Sequence, residues 1–469
     1  MDYPFARSDI ARYDALTGAP VIDEQTWKDM LLDSYLALLS RGVSIFGQQM
    51  LYHRLRSGAA DAGGLRTRLA DSAGRADMER ACRPLREADA EVSGTLFGEA
   101  LAAAPRWAAW LPALPVLLAA SIACGLQWGL WWIAALGVCA LMLALQAVWH
   151  DRIGQWRREL LSLRLMLNAC HALWPGDRAA ARLSRQLAPP VLEQMPLLRE
   201  YSDWLLLRNV SHYFASRKVV AGQLPFLRSC YVKLAAVEAD LALARHLDGA
   251  ARFCWSGRAD GRELELRGLV HPLLPDPAPL DLALRDKGVF ISGQNGVGKS
   301  TFLRAVGLNA IAARAFGFCY AEAARLPDMP VHSSMQSEDA LDEGESLYIA
   351  ELRRARELLA IAEAGPSLFI VDEIFLGTNH LESVSAATAV MEALAARGTV
   401  LVSSHNLVLA SLLKEWLTPV CVAQTEDGLR LQPGILGETN GLALLAQKGF
   451  SVEIQNKAAR VYSELLGAI

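Results

Sequence analysis

The chain has 469 residues, 52% of them apolar and 20% charged, with a formal net charge of −4 and a pI near 6.2. That length buries a large core without disulfide or metal staples, and the acidic balance excludes a surface that is basic throughout. The eight cysteines (82, 124, 139, 170, 230, 254, 319 and 421) form no Cys-x-x-Cys pair and have no His at ligand spacing, so they read as reduced and mostly buried.

Met1 to Pro20 carries Asp2, Asp9 and Asp14 without an apolar core, which predicts no cleavable signal peptide and cytoplasmic polar regions. From residue 20 to 106, apolar positions recur at helical spacing through Trp27, Met30, Leu31, Tyr35, Leu38 and Leu39, with a loop at Gly58 to Gly64. Residues 1–106 are thus read as a cytoplasmic helical region.

From Trp107 to Trp149 there is no Asp, Glu, Lys, Arg or His. One bilayer crossing takes about 20 helical residues, so the run predicts a transmembrane hairpin over 107–149, turning at Gly125-Leu126-Gln127-Trp128-Gly129. Trp107, Trp110, Trp128, Trp131, Trp132 and Trp149 sit where interfacial anchors belong. Arg106 on one side and Arg152, Arg157 and Arg158 on the other place both flanks, and both termini, inside. The expected location is the cell (inner) membrane, as a multi-pass protein.

Residues 150–262 return to Leu- and Arg-rich helices, with breaks expected at Pro175-Gly176, Pro189-Pro190 and Pro225. Their basic lean (Arg152, Arg157, Arg158, Arg164, Arg178, Arg182, Arg185, Arg217, Lys218) reads as a solvated helix face, with a phosphate-binding stripe as the alternative. Near residue 262 the pattern changes. Short β-type runs, Glu263 to Leu266, Val289 to Ser292, Leu368 to Val371 and Val400 to Ser403, alternate with helices, which argues for a parallel α/β sheet in residues 263–469.

Gly293-Gln294-Asn295-Gly296-Val297-Gly298-Lys299-Ser300 fits the phosphate loop Gly-x-x-x-x-Gly-Lys-Ser, between an apolar strand and the helix opening at Thr301. Its glycines let backbone N–H groups turn towards an anion at a helix N-terminus. Lys299 is expected to reach the β- and γ-phosphates of ATP, and Ser300 to ligate Mg²⁺. Leu368-Phe369-Ile370-Val371-Asp372-Glu373 delivers Asp372 to the end of an apolar strand, where it can hold the metal. Glu373 is then placed to act as general base on the attacking water. His405 follows another apolar strand and is the candidate sensor of the γ-phosphate.

These motifs resemble the MutS family, the ATPases of DNA mismatch repair. The likeness runs through Ser292 to Asn295 and Gly298 to Arg304, including Thr301, with His271-Pro272 upstream. It continues in Gly344-Glu345-Ser346-Leu347-Tyr348-Ile349-Ala350-Glu351, where Leu347 replaces the usual Thr. Asp372-Glu373-Ile374 with Gly377-Thr378, and Ser404-His405-Asn406, are similar to the family's acidic block and switch. The segments from Thr439-Asn440-Gly441 to Ala446 and Gly449-Phe450-Ser451, and the helix through Ile454, Ala458, Val461 and Leu465, resemble its dimerising helices. Upstream, Gly47 to Leu55 and Leu65 to Leu85 are similar to the start of its helical lever.

The resemblance implies an α/β P-loop NTPase domain of the ABC/MutS type preceded by an all-α lever-like region, a homodimer with composite ATP sites in which Ser346 serves the opposite subunit's nucleotide, and DNA as a partner. The mismatch-reading domain is not expected, since about 40 residues precede the lever-like segment. Phe97-Gly98-Glu99 mimics the family's Phe-x-Glu wedge and is read as coincidence. The hairpin interrupts the lever where the family carries its DNA clamp, similar to a membrane-spanning branch of the family. The leading reading is a membrane-anchored ATPase that switches dimer conformation. The alternative is a membrane-tethered assembly or defence module that uses ATP to gate protein contacts.

Overall fold

The computed structural model describes residues 5–58, 62–188, 203, 205–294, 296–335, 347–375, 379–425, 428–436, 445 and 448–466. They form two compact units: Met1–Ala19, Leu39–His53 and Gly63–Asp248 make the first, and Pro20–Leu38, Arg54–Ala62 and Gly249–Ile469 the second.

The first unit is helical. Its central helix, Leu224–Asp248, is buried along most of its length through Leu227, Tyr231, Leu234, Leu241 and Leu243. The break expected at Pro225 separates it from the preceding helix, Arg208–Gly222. Pro225 lies in the first turn, where the missing N–H would have had no helical partner, and the chain bends two residues earlier at Gln223. Glu238 of this helix is fully enclosed, and accepts from the N–H groups of Ser44 (3.0 Å) and Gly47 (3.1 Å) and from the Ser44 hydroxyl. Those donors satisfy a carboxylate that would otherwise be costly to bury. Phe97 meets Tyr13 and Tyr231 edge-on at centroid distances of 5.2 and 5.4 Å, so the wedge-like tripeptide contributes an aromatic anchor of this core.

The apolar run folds as two helices packed on each other, Ala113–Gly125 and Trp131–Leu173, joined by the expected turn. They are not the two bilayer-length spans expected. Pro112 stands at the N-cap of the first arm and Pro115 in its first turn, so regular helix begins at Ala113 and runs only 13 residues. At 1.5 Å per residue that is about 20 Å, against about 30 Å of bilayer hydrocarbon. The second arm continues past Trp149 to Leu173. Among the described residues it alone is long and apolar enough to cross a bilayer. Much of the apolar surface faces outward: Val116 is 68% exposed, Ile133 69%, Leu136 70% and Val148 68%.

The second unit contains the sheets. In chain order its strands are β1 (Cys254–Trp255), β2 (Gly257–Arg258), β3 (Leu264–Leu269), β4 (Leu280–Leu284), β5 (Gly288–Gly293), β6 (Phe318–Cys319), β7 (Ala323–Leu326), β8 (Val331–Met335), β9 (Leu368–Asp372), β10 (Thr399–Ser403), β11 (Leu417–Thr425) and β12 (Gly428–Pro433). The main sheet has six strands in the order β12-β11-β5-β10-β9-β8. From β11 to β8 the neighbours are parallel, whereas β12 returns antiparallel to β11.

The run from Glu263 to Leu266 does not join that sheet. It belongs to β3, which pairs antiparallel with β4 and β7 in a separate four-stranded sheet. Its burial alternates (Leu264 and Leu266 in, Arg267 out), as a half-covered antiparallel strand requires. By contrast, β5, β9 and β10 are buried at every residue, the signature of a sheet covered on both faces.

One layer of the core joins Phe290, Phe369, Val371 and Val400 to Leu358 of the helix Leu347–Ala364 and to Met391 and Leu394 of the helix His380–Arg397. The helix Lys299–Phe316 packs on β5, β8, β9 and β10. There Met30, from the segment Pro20–Leu38, reaches Gly307. A Cβ at that glycine would lie 2.3 Å from Met30 Sδ and 2.8 Å from Ile370 Cδ1.

Candidate nucleotide-binding site

β5 is the sheet's central rail, flanked by β10 and β11. Gly288 starts it because nothing larger fits: a Cβ there would come within 2.2 Å of the Val400 carbonyl oxygen. At the other end Gly293 is equally confined, a Cβ lying 3.0 Å from both Val422 O and Val297 Cγ1. The chain then turns through Gly296 (φ 77°) and Gly298 (φ 102°), backbone conformations that favour glycine. Gly298 is the N-cap of the helix Lys299–Phe316. The loop therefore ends with the unpaired N–H groups of a long helix's first turn, an arrangement that attracts phosphate.

Lys299 is buried, and its Nζ donates to the carbonyls of Gly293 (3.1 Å) and Gln294 (3.3 Å). Burial lowers its proton affinity, with Glu373 and Asp372 acting in the opposite direction. Ser300 and Thr301 follow in the first helical turn and are partly exposed, as are Val297 and Gly298; Gln294 and Gly296 are exposed. Asn295 lies outside the described residues.

The acidic pair ends β9, and β10 runs between β9 and β5. This order brings three strand ends to one edge of the sheet: Gly293 on β5, Asp372 on β9, and Ser403 on β10 followed by His405. Ser403 pairs in register with Asp372, and its hydroxyl donates to Asp372 Oδ1. Asp372 is thereby fixed at the same edge as Ser300, as a metal ligand pair would require.

Glu373 leaves the strand in left-handed backbone, φ 53°, with its N–H on the Ser403 carbonyl at 3.1 Å. Its Oε2 accepts from the His405 backbone N–H at 3.4 Å. Its Oε1 is buried without a hydrogen bond and lies 3.4 Å from His405 Nε2. Burial pushes the Glu373 carboxyl up to about 7, and the Asp372 charge adds to the rise. The His405 N–H and the Lys299 ammonium pull the other way. Burial, then Lys299, lowers the proton affinity of His405.

An unpaired buried carboxylate oxygen beside an ammonium, at the mouth of a glycine cradle, fits a triphosphate with a divalent cation. Backbone N–H groups and Lys299 would supply the anion's donors, and Ser300 and Asp372 the cation's oxygens. Ser346 and the Gly377-Thr378 pair lie outside the described residues, as do Thr439 to Leu444 and Ala446 of the C-terminal segments.

Two contributors were not visible as such in the sequence. Ser292 Oγ donates to Val420 O (3.1 Å) and accepts from Leu436 N (3.0 Å), tying the loop's entry strand to β11; Ser403 holds Asp372. The only available signal was a hydroxyl at the last positions of otherwise apolar runs. His271 lies buried near Arg304, with Nδ1 accepting from Leu273 N at 3.2 Å, and burial lowers it to about 4, so it is neutral.

Residues 289–465 match the family model described as MutS domain V, a span that covers the loop, the acidic pair and His405. The C-terminal region of this chain belongs to the MutS family. The chain is 31% identical over 284 residues to the protein named Endonuclease MutS2 of Thermus thermophilus, covering 58% of this chain and 37% of that protein. It is 32% identical over 262 residues to the DNA mismatch repair protein MutS of Thermus aquaticus (54% and 32%) and 26% identical over 298 residues to that of Myxococcus xanthus (58% and 33%). The match thus spans about a third of the length of these relatives. It also reaches beyond MutS domain V, whose 289–465 is the shorter stretch.

Proposed function

We propose that this chain is an ATPase whose MutS domain V couples ATP binding and hydrolysis to dimerisation. The observation that carries it is the convergence of Lys299, Ser300, Asp372, Glu373 and His405 at one edge of a parallel sheet, around a glycine cradle. The loop Gly293 to Thr301 binds the phosphates. Ser300 and Asp372 would hold Mg²⁺, which when bound neutralises charge building on the β- and γ-oxygens. Glu373 takes a proton from the attacking water, and His405, in contact range of Glu373, senses the γ-phosphate.

The partner surface of the proposed homodimer is the helix Val452–Leu466, where Val452 (69%), Ile454 (50%) and Val461 (41%) are exposed. Ser346 is assigned to the opposite subunit's nucleotide by family resemblance. The exposed apolar surface of the helices within 107–149 supports a membrane anchor, a hairpin that enters and leaves by one face so that both termini are cytoplasmic. DNA, mismatched or branched, is the partner that the relatives' names suggest. A second reading, favoured by the apolar hairpin, has nucleotide state gating protein contacts at the membrane without mismatch recognition.

The test is phosphate release from ATP by the detergent-solubilised full chain, wild-type against Lys299→Ala, with and without branched duplex DNA at two salt concentrations. Lys299→Ala falls to background because its ammonium is the loop's phosphate donor; equal turnover in both proteins rejects the ATPase reading. DNA retained at low salt and released at high salt supports the nucleic-acid part. No retention at low salt leaves the protein-gating reading in its place.

A further inference from the structure

The helical unit carries a half-open cavity of about 290 Å³ between the helix Trp131–Leu173 and the helix Arg208–Gly222. Its walls are largely apolar, with Trp156, Leu160 and Leu187 among them. The Trp156 N–H is spent on Ser216 Oγ at 2.9 Å, so the indole offers the cavity only carbon surface. The Asn209 amide is likewise engaged, donating to Gln146 Oε1 at 2.8 Å.

What remains is cationic. The lining includes Arg157, Arg158 and Arg164 together with His212, and among the described residues it includes no carboxylate. Arg157 is held at 3.4 Å by Asp203, and Arg158 at 3.0 Å by Asp89. Arg164 makes no ion pair among the described residues, and its Nε is buried without a hydrogen bond; so is Nε2 of His212. Burial lowers the proton affinity of His212, a hydrogen bond to the Ala188 backbone raises it, and Arg157 and Arg164 lower it against the opposing charge of Asp203, so both arginines act on one locus. A half-buried guanidinium whose Nε lacks a partner at an apolar cavity is unfavourable by itself. It becomes favourable when an anion with an apolar portion fills the space, and several arginines match a dianionic phosphate.

We propose that this cavity is a binding site for a phosphate-bearing amphiphile, its phosphate on Arg164 and His212 and its apolar part against Trp156, Leu160 and Leu187. The volume sits at the small end of ligand pockets, so the site takes a phosphate head and a short apolar segment. Two sources share that chemistry, a membrane phospholipid and a soluble phosphorylated molecule. Arg164 stands about 22 Å along the helix beyond Trp149, so a bilayer lipid would have to rise from the bilayer plane to reach it.

The experiment titrates dihexanoyl phosphatidic acid and glycerol phosphate into the full chain in a non-ionic detergent by calorimetry, and repeats the comparison on vesicles with and without phosphatidic acid. Wild-type binds dihexanoyl phosphatidic acid at least tenfold more tightly than glycerol phosphate. Arg164→Ala weakens that binding at least tenfold, Arg164→Lys restores part of it, and affinity for ATP is unchanged in both. If Arg164→Ala proves unfolded by its melting curve, His212→Gln carries the same comparison. Greater retention of wild-type than of the variant on phosphatidic-acid vesicles names the bilayer as source, and binding in solution alone names a soluble ligand. Both uphold the site. Equal affinity of variant and wild-type, glycerol phosphate binding as tightly as the amphiphile, or no binding in either arm overturns it.

Discussion

Glu373 carries two costs at once: a left-handed backbone (φ 53°), worth about 1–2 kcal/mol for a residue with a Cβ, and a buried carboxylate oxygen without a hydrogen-bond donor. Neither helps folding, and both concentrate where the chemistry is proposed, as strain at working sites does. The shifted carboxyl gives a pH prediction with a definite sign. A general base works ionised, and a group raised to about 7 is protonated below that pH and ionised above it. The kcat/KM for ATP hydrolysis should rise roughly tenfold per pH unit below about 7 and level above it. A profile flat from pH 5.5 to 8 would remove Glu373 from that role. Magnesium and nucleotide bound beside it will move the transition in kcat, so kcat/KM, which reports the free enzyme, is the quantity to follow.

At the scale of elements, the phosphate loop, its helix and the acidic strand were legible because their chemistry fixes both residue type and spacing. Glycines stand at 293, 296 and 298 where the chain turns sharply, and unbroken apolar runs stand where the sheet is covered on both faces. What surrounds them was not legible. β8 carries His332 and Ser333 inside the core, which hides it from any search for apolar runs. They are satisfied by a distant segment: Asp29 accepts from Ser333 Oγ (2.7 Å) and Met335 N (2.9 Å), and Asp23 lies 3.1 Å from both His332 Nδ1 and an Arg354 Nη. Helical periodicity at residues 20–39 announces a buried face without naming what buries it, so these residues read as part of a helical region rather than of the sheet unit. A prediction follows for Met30, which has no exposed surface and lies against Gly307 and Ile370. Met30→Ala should destabilise the nucleotide-binding unit by about 2–5 kcal/mol, seen as a lower urea midpoint for its unfolding. A loss under 1 kcal/mol would show that this segment does not brace the sheet.

Taken whole, the molecule combines a helical unit bearing the exposed apolar arms with a second unit that contains MutS domain V and is built from three separate segments. Exposed apolar surface stands at two places, the hairpin and the helix Val452–Leu466, and the covers proposed for them differ, lipid for the first and a second copy for the second. These are separable. Ile454→Asp combined with Val461→Asp should shift the detergent-solubilised protein from dimer to monomer in light scattering while leaving it in the membrane fraction. Deleting residues 107–149 should do the converse, and loss of both properties in either variant would contradict the separation.

The proposition beneath these predictions is that one buried carboxylate, held at the sheet edge beside a glycine cradle, turns bound ATP into bound ADP. Single-turnover hydrolysis by Glu373→Gln, measured alongside its ATP affinity, addresses it directly. The account predicts ATP binding within about threefold of wild-type and hydrolysis slower by a factor on the order of 10²–10⁴, with the dimer accumulating in the ATP state. Hydrolysis at the wild-type rate in that variant would contradict it.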